Sequence, residues 1–238
     1  MLKISDAAHF RRVVAGLCLV AAPLLFAAAE IATPQPSGSA AAQLASFAQH
    51  RNLLVVGVLC GLASSMCFIP ALFGLLHKIR NRGVVYAHVA AALIIYGLVT
   101  QAALGGINVM FWVMTKPGMN HAAMVNLLNG LQQHGSAVAA APLLAGHYLF
   151  AAGVVLLGVA VWRARLAPRW AGILVALWPV SDVALSSAGD TASLVSDAIA
   201  VAGCAVLGWR MLTTPDASWD PSPEIAAEPA RQPHPSAI

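Results

Sequence analysis

The chain has 238 residues, enough for one soluble domain, yet only 9% of them are charged and 59% are hydrophobic, with a mean hydropathy of +0.77. A water-facing domain carries about a quarter of charged residues, so this chain has too little polar surface to cover a soluble globule and must meet lipid. The net charge of +4 does not mark a nucleic-acid partner, because the basic residues fall between apolar runs and form no stripe interleaved with aromatics.

Hydrocarbon offers backbone N–H and C=O groups no partners, so each crossing must be a helix or part of a closed barrel. Alternating ten-residue segments are absent, and long unbroken apolar runs predict an all-α bundle. The first run, about 13–31, follows Lys3, Arg11 and Arg12. Ala27, Ala28 and Ala29 imitate a cleavage site, but the run exceeds a usual signal-peptide core, so it reads as a retained first span. Pro34, Pro36, Gly38 and Ser39 then give a turn leading into a short helical stretch with Leu44 and Phe47.

Span two is predicted over 53–76 and ends on His77, Lys78, Arg80 and Arg82. Span three, 84–114, would be about 46 Å long at 1.5 Å per residue, against a hydrocarbon core of about 30 Å. It must tilt, bend at Gly105 and Gly106, or emerge beyond the core. Met124, Leu127, Leu128 and Leu131 then repeat at helical spacing opposite Asn126, Asn129, Gln133 and His134, predicting a short amphipathic helix on the outer side. Spans four, five and six are predicted over 138–162, 170–187 and 191–212. From 213 to 238 the chain is rich in proline and acid, and predicts a disordered tail that can be removed after Pro215 without loss of folding.

Counting Lys and Arg beside six spans puts eleven on one side and only Arg51 and Lys116 on the other. The basic side is then cytoplasmic, with both termini there. Cys18, Cys60, Cys67 and Cys204 fall inside spans without ligand spacing and read as small apolar filler. No metal-ligand, phosphate-loop, nucleophile-elbow or cofactor motif occurs, so no metal or cofactor is expected.

Ionisable groups inside a bilayer are costly and need a partner or a task. Asp182 in span five, Asp197 in span six and His147 in span four fall at one depth in the outer half, as does Gln101 in span three. Asn108 lies further out on span three, and Glu30 closes span one. Pro179 removes the helical bond to the Val175 carbonyl just before Ser181 and Asp182, predicting a kink. The expectation is an outer-half polar cavity in which Asp182, Asp197 and His147 carry any chemistry, with Gln101, Asn108, Trp178, Tyr148 and Glu30 as ligand contacts. Each polar group also has a purely structural reading, an interhelical hydrogen bond worth about 1 kcal/mol.

The segment Arg12 to Gly16, the entry Leu166-Ala167-Pro168-Arg169-Trp170 and the spacing of the spans resemble an uncharacterised family of bacterial six-span integral membrane proteins, mainly of actinobacteria and firmicutes. The resemblance covers roughly 10–212. It implies the six-span fold in a bacterial plasma membrane, but no activity and no functional residue. The residues themselves favour binding or handling of a small apolar molecule or lipid. Two other classes stand beside that: an intramembrane acid-catalysed enzyme such as a prenyl or terpenoid cyclase, and a non-catalytic accessory subunit. In the cyclase reading Asp182 or Asp197 is the acid, and Trp178 or Tyr148 steadies the cation. Membrane lipids are the partners expected in every case, and the oligomeric state is left open.

Overall fold

A run of more than twenty apolar residues satisfies its backbone most simply by coiling on itself, and that is how this chain folds. The computed structural model describes residues 4–34, 38–134, 137–185, 190–215 and 219. Its elements are α1 (Ile4–Ala32), α2 (Ala40–Gln49), α3 (Arg51–Lys78), α4 (Val84–Met114), α5 (His121–His134), α6 (Ala137–Ala164), α7 (Arg169–Leu185) and α8 (Asp190–Thr213). Among the described residues there is no strand.

Six of these helices close a ring. α1 packs on α3, α3 on α4, α4 on α6, α6 on α7, α7 on α8, and α8 returns to α1. Neighbours run antiparallel: Gly74 of α3 meets Ala15 of α1, Gly97 of α4 meets Phe150 of α6, and Gly208 of α8 meets Gly16 of α1. The basic loops therefore gather at one end, and the end of α7 and the start of α8 lie at the far end. Without a hydrophobic drive between helices in lipid, close backbone approach must hold such a ring, and small residues permit it. The α6–α7 seam is the clearest case, since a Cβ on either Gly158 or Gly172 would strike the other's carbonyl oxygen.

Large apolar residues cover the outside, among them Leu59, Met66, Val85, Val99 and Trp209. Five helices are long and apolar enough to cross a membrane: Ala7–Ala32, Arg51–Lys78, Val84–Met114, Ala141–Ala164 and Ser193–Thr213. The chain is thus a multi-pass α-helical membrane protein. α7 has 17 residues, about 26 Å at 1.5 Å per residue, a little under the thickness of the hydrocarbon core. Residues 186–189, which the sequence assigns partly to this span, lie outside the described residues.

One helix end differs from expectation for a physical reason. α1 begins at Ile4 rather than near Val13 because Arg12 is taken into the bundle. Its guanidinium donates to the carbonyl of Met211 at 3.2 Å and to that of Leu212, satisfying acceptors that the end of α8 leaves open. α4 continues unbroken through Gly105 and Gly106 to Met114, and its last turns carry α2 and α5. Ala40, Leu44, Met114 and Leu128 form a small second core there, with Phe47 stacked on Phe111 at 4.8 Å. The Ser39 hydroxyl accepts from the Ala42 N–H at the start of α2, and the Asn120 side chain accepts from the Ala123 N–H at the start of α5.

α7 likewise continues through Pro179 as one helix. In the tail, Trp219 is buried: its ring lies 5.2 Å from that of His77, its carbonyl is 3.1 Å from His77 Nε2, and the Lys78 ammonium sits 4.9 Å from the indole. The expectation that nothing in the tail docks is corrected at this residue, while 220–238 lie outside the described residues.

Candidate functional site

The ring is closed by aromatic packing midway along and is looser at the end away from the basic loops. Trp178 of α7 is buried among Phe26 of α1, Phe68 of α3 and Phe150 of α6, with ring centroids 5.5, 6.3 and 5.8 Å away. Edge-on contacts with Phe26 and Phe150 suit the ring quadrupoles. Beyond this plug lies a cavity of about 420 Å³ between α1, α3 and α4, flanked by α2. Phe26, Phe47, Phe68, Phe111 and Phe150 contribute to its apolar wall, and Glu30, Gln43, Gln101 and Asn108 add polar groups beside the hydroxyls of Thr33, Ser64 and Ser65. Gly105 also lines it, and a Cβ there would meet nothing within 4 Å.

Of the residues singled out by sequence, Glu30, Gln101 and Asn108 come together on this cavity. Trp178 stands behind the wall, backing three of its phenylalanines. Asp182 and Asp197 do not line it, yet both lie within electrostatic reach of Glu30. Asp197 is 95% buried by its 5% exposure, and its Oδ2 has no hydrogen-bond partner among the described residues. His147 and Tyr148 are exposed, meet edge-on at 5.7 Å and do not line the cavity.

One turn below Asp182, two hydroxyls explain how α7 and α8 are pinned. Ser196 Oγ donates to the Trp178 carbonyl at 3.0 Å, and Ser181 Oγ lies 2.7 Å from the same carbonyl and 3.1 Å from Ser196 Oγ. This node does the joining work that the sequence left open for the aspartates, and Asp197 is adjacent to it with a carboxylate oxygen to spare.

The Lys and Arg residues at this end are Arg51 and Lys116. Both stand over Trp112, at 4.8 and 4.3 Å from its ring. Neither lines the cavity. The stretches of α1, α7 and α8 at this end carry no Lys or Arg. Among the described residues, no group of three or more His, Cys, Asp or Glu side chains could hold a metal ion.

The phenylalanines and Gln43 were missed from sequence. A phenylalanine in an apolar run gives no periodic contrast between a face toward lipid and a face toward a cavity. The one available signal was Gln43, placed one residue from Leu44 on a short helix between two predicted spans.

A ring of apolar helices around an aromatic plug, with a partly polar cavity at one end, defines the molecule as a polytopic membrane bundle with an internal cavity. The model of a domain of unknown function, DUF4386, matches residues 14–213, and the chain belongs to that family. Neither a curated protein nor a solved structure matches it.

Proposed function

We propose that the protein is a six-span protein of a bacterial cell membrane, with both termini in the cytoplasm, and that its outer-half cavity binds or handles a small apolar molecule or lipid. The observation that carries this reading is the cavity itself. At about 420 Å³ it falls in the range of roughly 300–1,000 Å³ usual for small-molecule sites, and it combines an apolar wall with a few convergent polar groups. The eleven-to-two division of basic residues supports the orientation. Antiparallel packing of α7 between α6 and α8 supports counting it as the sixth crossing. A 17-residue helix crosses if the bilayer thins or its flanking residues reach the interface.

Native mass spectrometry of protein released from a mild detergent tests the binding reading. The wild type should retain a lipid or metabolite. Gly105→Trp should lose it, because the position opens on empty space and an indole there fills the cavity without moving backbone. Equal retention by both proteins would place any bound molecule elsewhere.

A second reading is acid catalysis on a prenyl-type substrate, favoured by one feature: a carboxyl group among phenylalanine faces. A protonated acid can add its proton to an alkene, and aromatic faces stabilise the cation that results. In this reading Glu30 is the better candidate acid than Asp182 or Asp197, because it alone of the three lines the cavity.

A further inference from the structure

Glu30 is the one ionisable side chain among the described residues that line the cavity, and five phenylalanine rings share that lining. Behind it stand Asp182 and Asp197, close enough for their charges to act on Glu30. The Lys and Arg residues at this end of the bundle, Arg51 and Lys116, stand over Trp112 and do not line the cavity. Asp197 contributes a buried carboxylate oxygen with no donor among the described residues. Buried and half-buried carboxyls create a negative field that low-dielectric walls strengthen and focus toward the opening.

From this arrangement, and resting on the reading of the cavity as a ligand site, we infer that its ligand is an organic cation: an apolar body carrying an ammonium or similar positive group. The positive group meets Glu30 and the phenylalanine faces. The apolar body fills the rest of the wall. Glu30 supplies direct charge pairing, while the ring faces supply cation–π attraction that a hydrated inorganic ion would not use as well. A bare metal ion fits poorly, since it needs a tight oxygen cage of about six ligands or more, and the space is far larger than one. Gln101 and Asn108, facing the same cavity from α4, can hydrogen-bond polar substituents and so shape selectivity among cations.

The test uses the full chain in micelles of dodecyl maltoside, which carry neither net charge nor an ammonium group that could itself occupy the site. Equilibrium dialysis measures binding of 4-phenylbutyl-trimethylammonium and of its carbon isostere, in which a tert-butyl group replaces the trimethylammonium. Empty micelles give the background. The wild type should bind the ammonium compound at least about tenfold more tightly than the isostere. Glu30→Gln should bring the two within about threefold of each other while leaving isostere binding intact. Asp197→Asn, which leaves the lining untouched, should narrow the preference less, and it decides the matter if Glu30→Gln does not fold. Equal binding of both compounds by the wild type would overturn the inference and leave the cavity as a site for neutral molecules. Binding of neither above background would overturn it together with the cavity reading for ligands of this size.

Discussion

Two neighbouring residues on α8 show how differently a polar group can serve in lipid. The Ser196 hydroxyl is buried and donates to the Trp178 carbonyl, so it joins α8 to α7. Asp197 is as deeply buried but leaves Oδ2 without a partner among the described residues. Removing a satisfied bond costs stability, whereas neutralising a buried carboxylate with an unpaired oxygen costs little or nothing. Ser196→Ala should therefore lower stability by about 1 kcal/mol. Asp197→Asn should unfold at the wild-type temperature or above it. Thermal unfolding in one detergent compares the two variants, and a larger loss for Asp197→Asn than for Ser196→Ala would make the aspartate a structural element.

Among the elements, the six long helices were legible because hydropathy, basic loops and turn residues all agreed on their ends. Predicted spans 53–76, 84–114 and 138–162 became α3 at Arg51–Lys78, α4 at Val84–Met114 and α6 at Ala137–Ala164. α2 and α5 were also readable, through Leu44 with Phe47 and through the Met124 to Leu131 repeat. What the sequence could not supply was the order of packing around the ring. That order decides which polar residues share a space: it brings Glu30 of α1 to Gln101 and Asn108 of α4, and turns His147 of α6 outward. Equal depth along different helices, which grouped His147 with the aspartates, says nothing about azimuth when the whole helix is apolar.

Trp219 is the element-scale exception to a tail otherwise read as unable to dock. It covers the end of α3 against His77 and Lys78. Burial of an indole together with a cation–π contact is worth about 1–3 kcal/mol. A chain ending after Pro215 should thus be less stable by that amount, and one ending after Trp219 should match the full chain. Thermal unfolding of the two truncations checks this directly, and Trp219→Ala in the full chain should reproduce the first.

For the whole molecule, ring closure is what links topology to the cavity. Six antiparallel helices bring α8 back to α1, where Arg12 is held by the last carbonyls of α8. The same closure sets Asp182 and Asp197 behind Glu30 at the opposite end. An odd number of crossings would place the two ends of this ring's chain on opposite sides of the membrane, so orientation and cavity access stand or fall together. Cysteine accessibility in intact cells tests both at once. With Cys18, Cys60, Cys67 and Cys204 replaced, single cysteines are placed at Gln101, Asn108, Val99 and Thr213 and exposed to a membrane-impermeant thiol reagent. The account predicts modification of Asn108→Cys and Gln101→Cys from outside, no modification of the exposed apolar position in Val99→Cys, and modification of Thr213→Cys only after permeabilisation. Labelling of Thr213→Cys in intact cells, with Asn108→Cys and Gln101→Cys silent until the membrane is opened, would contradict it.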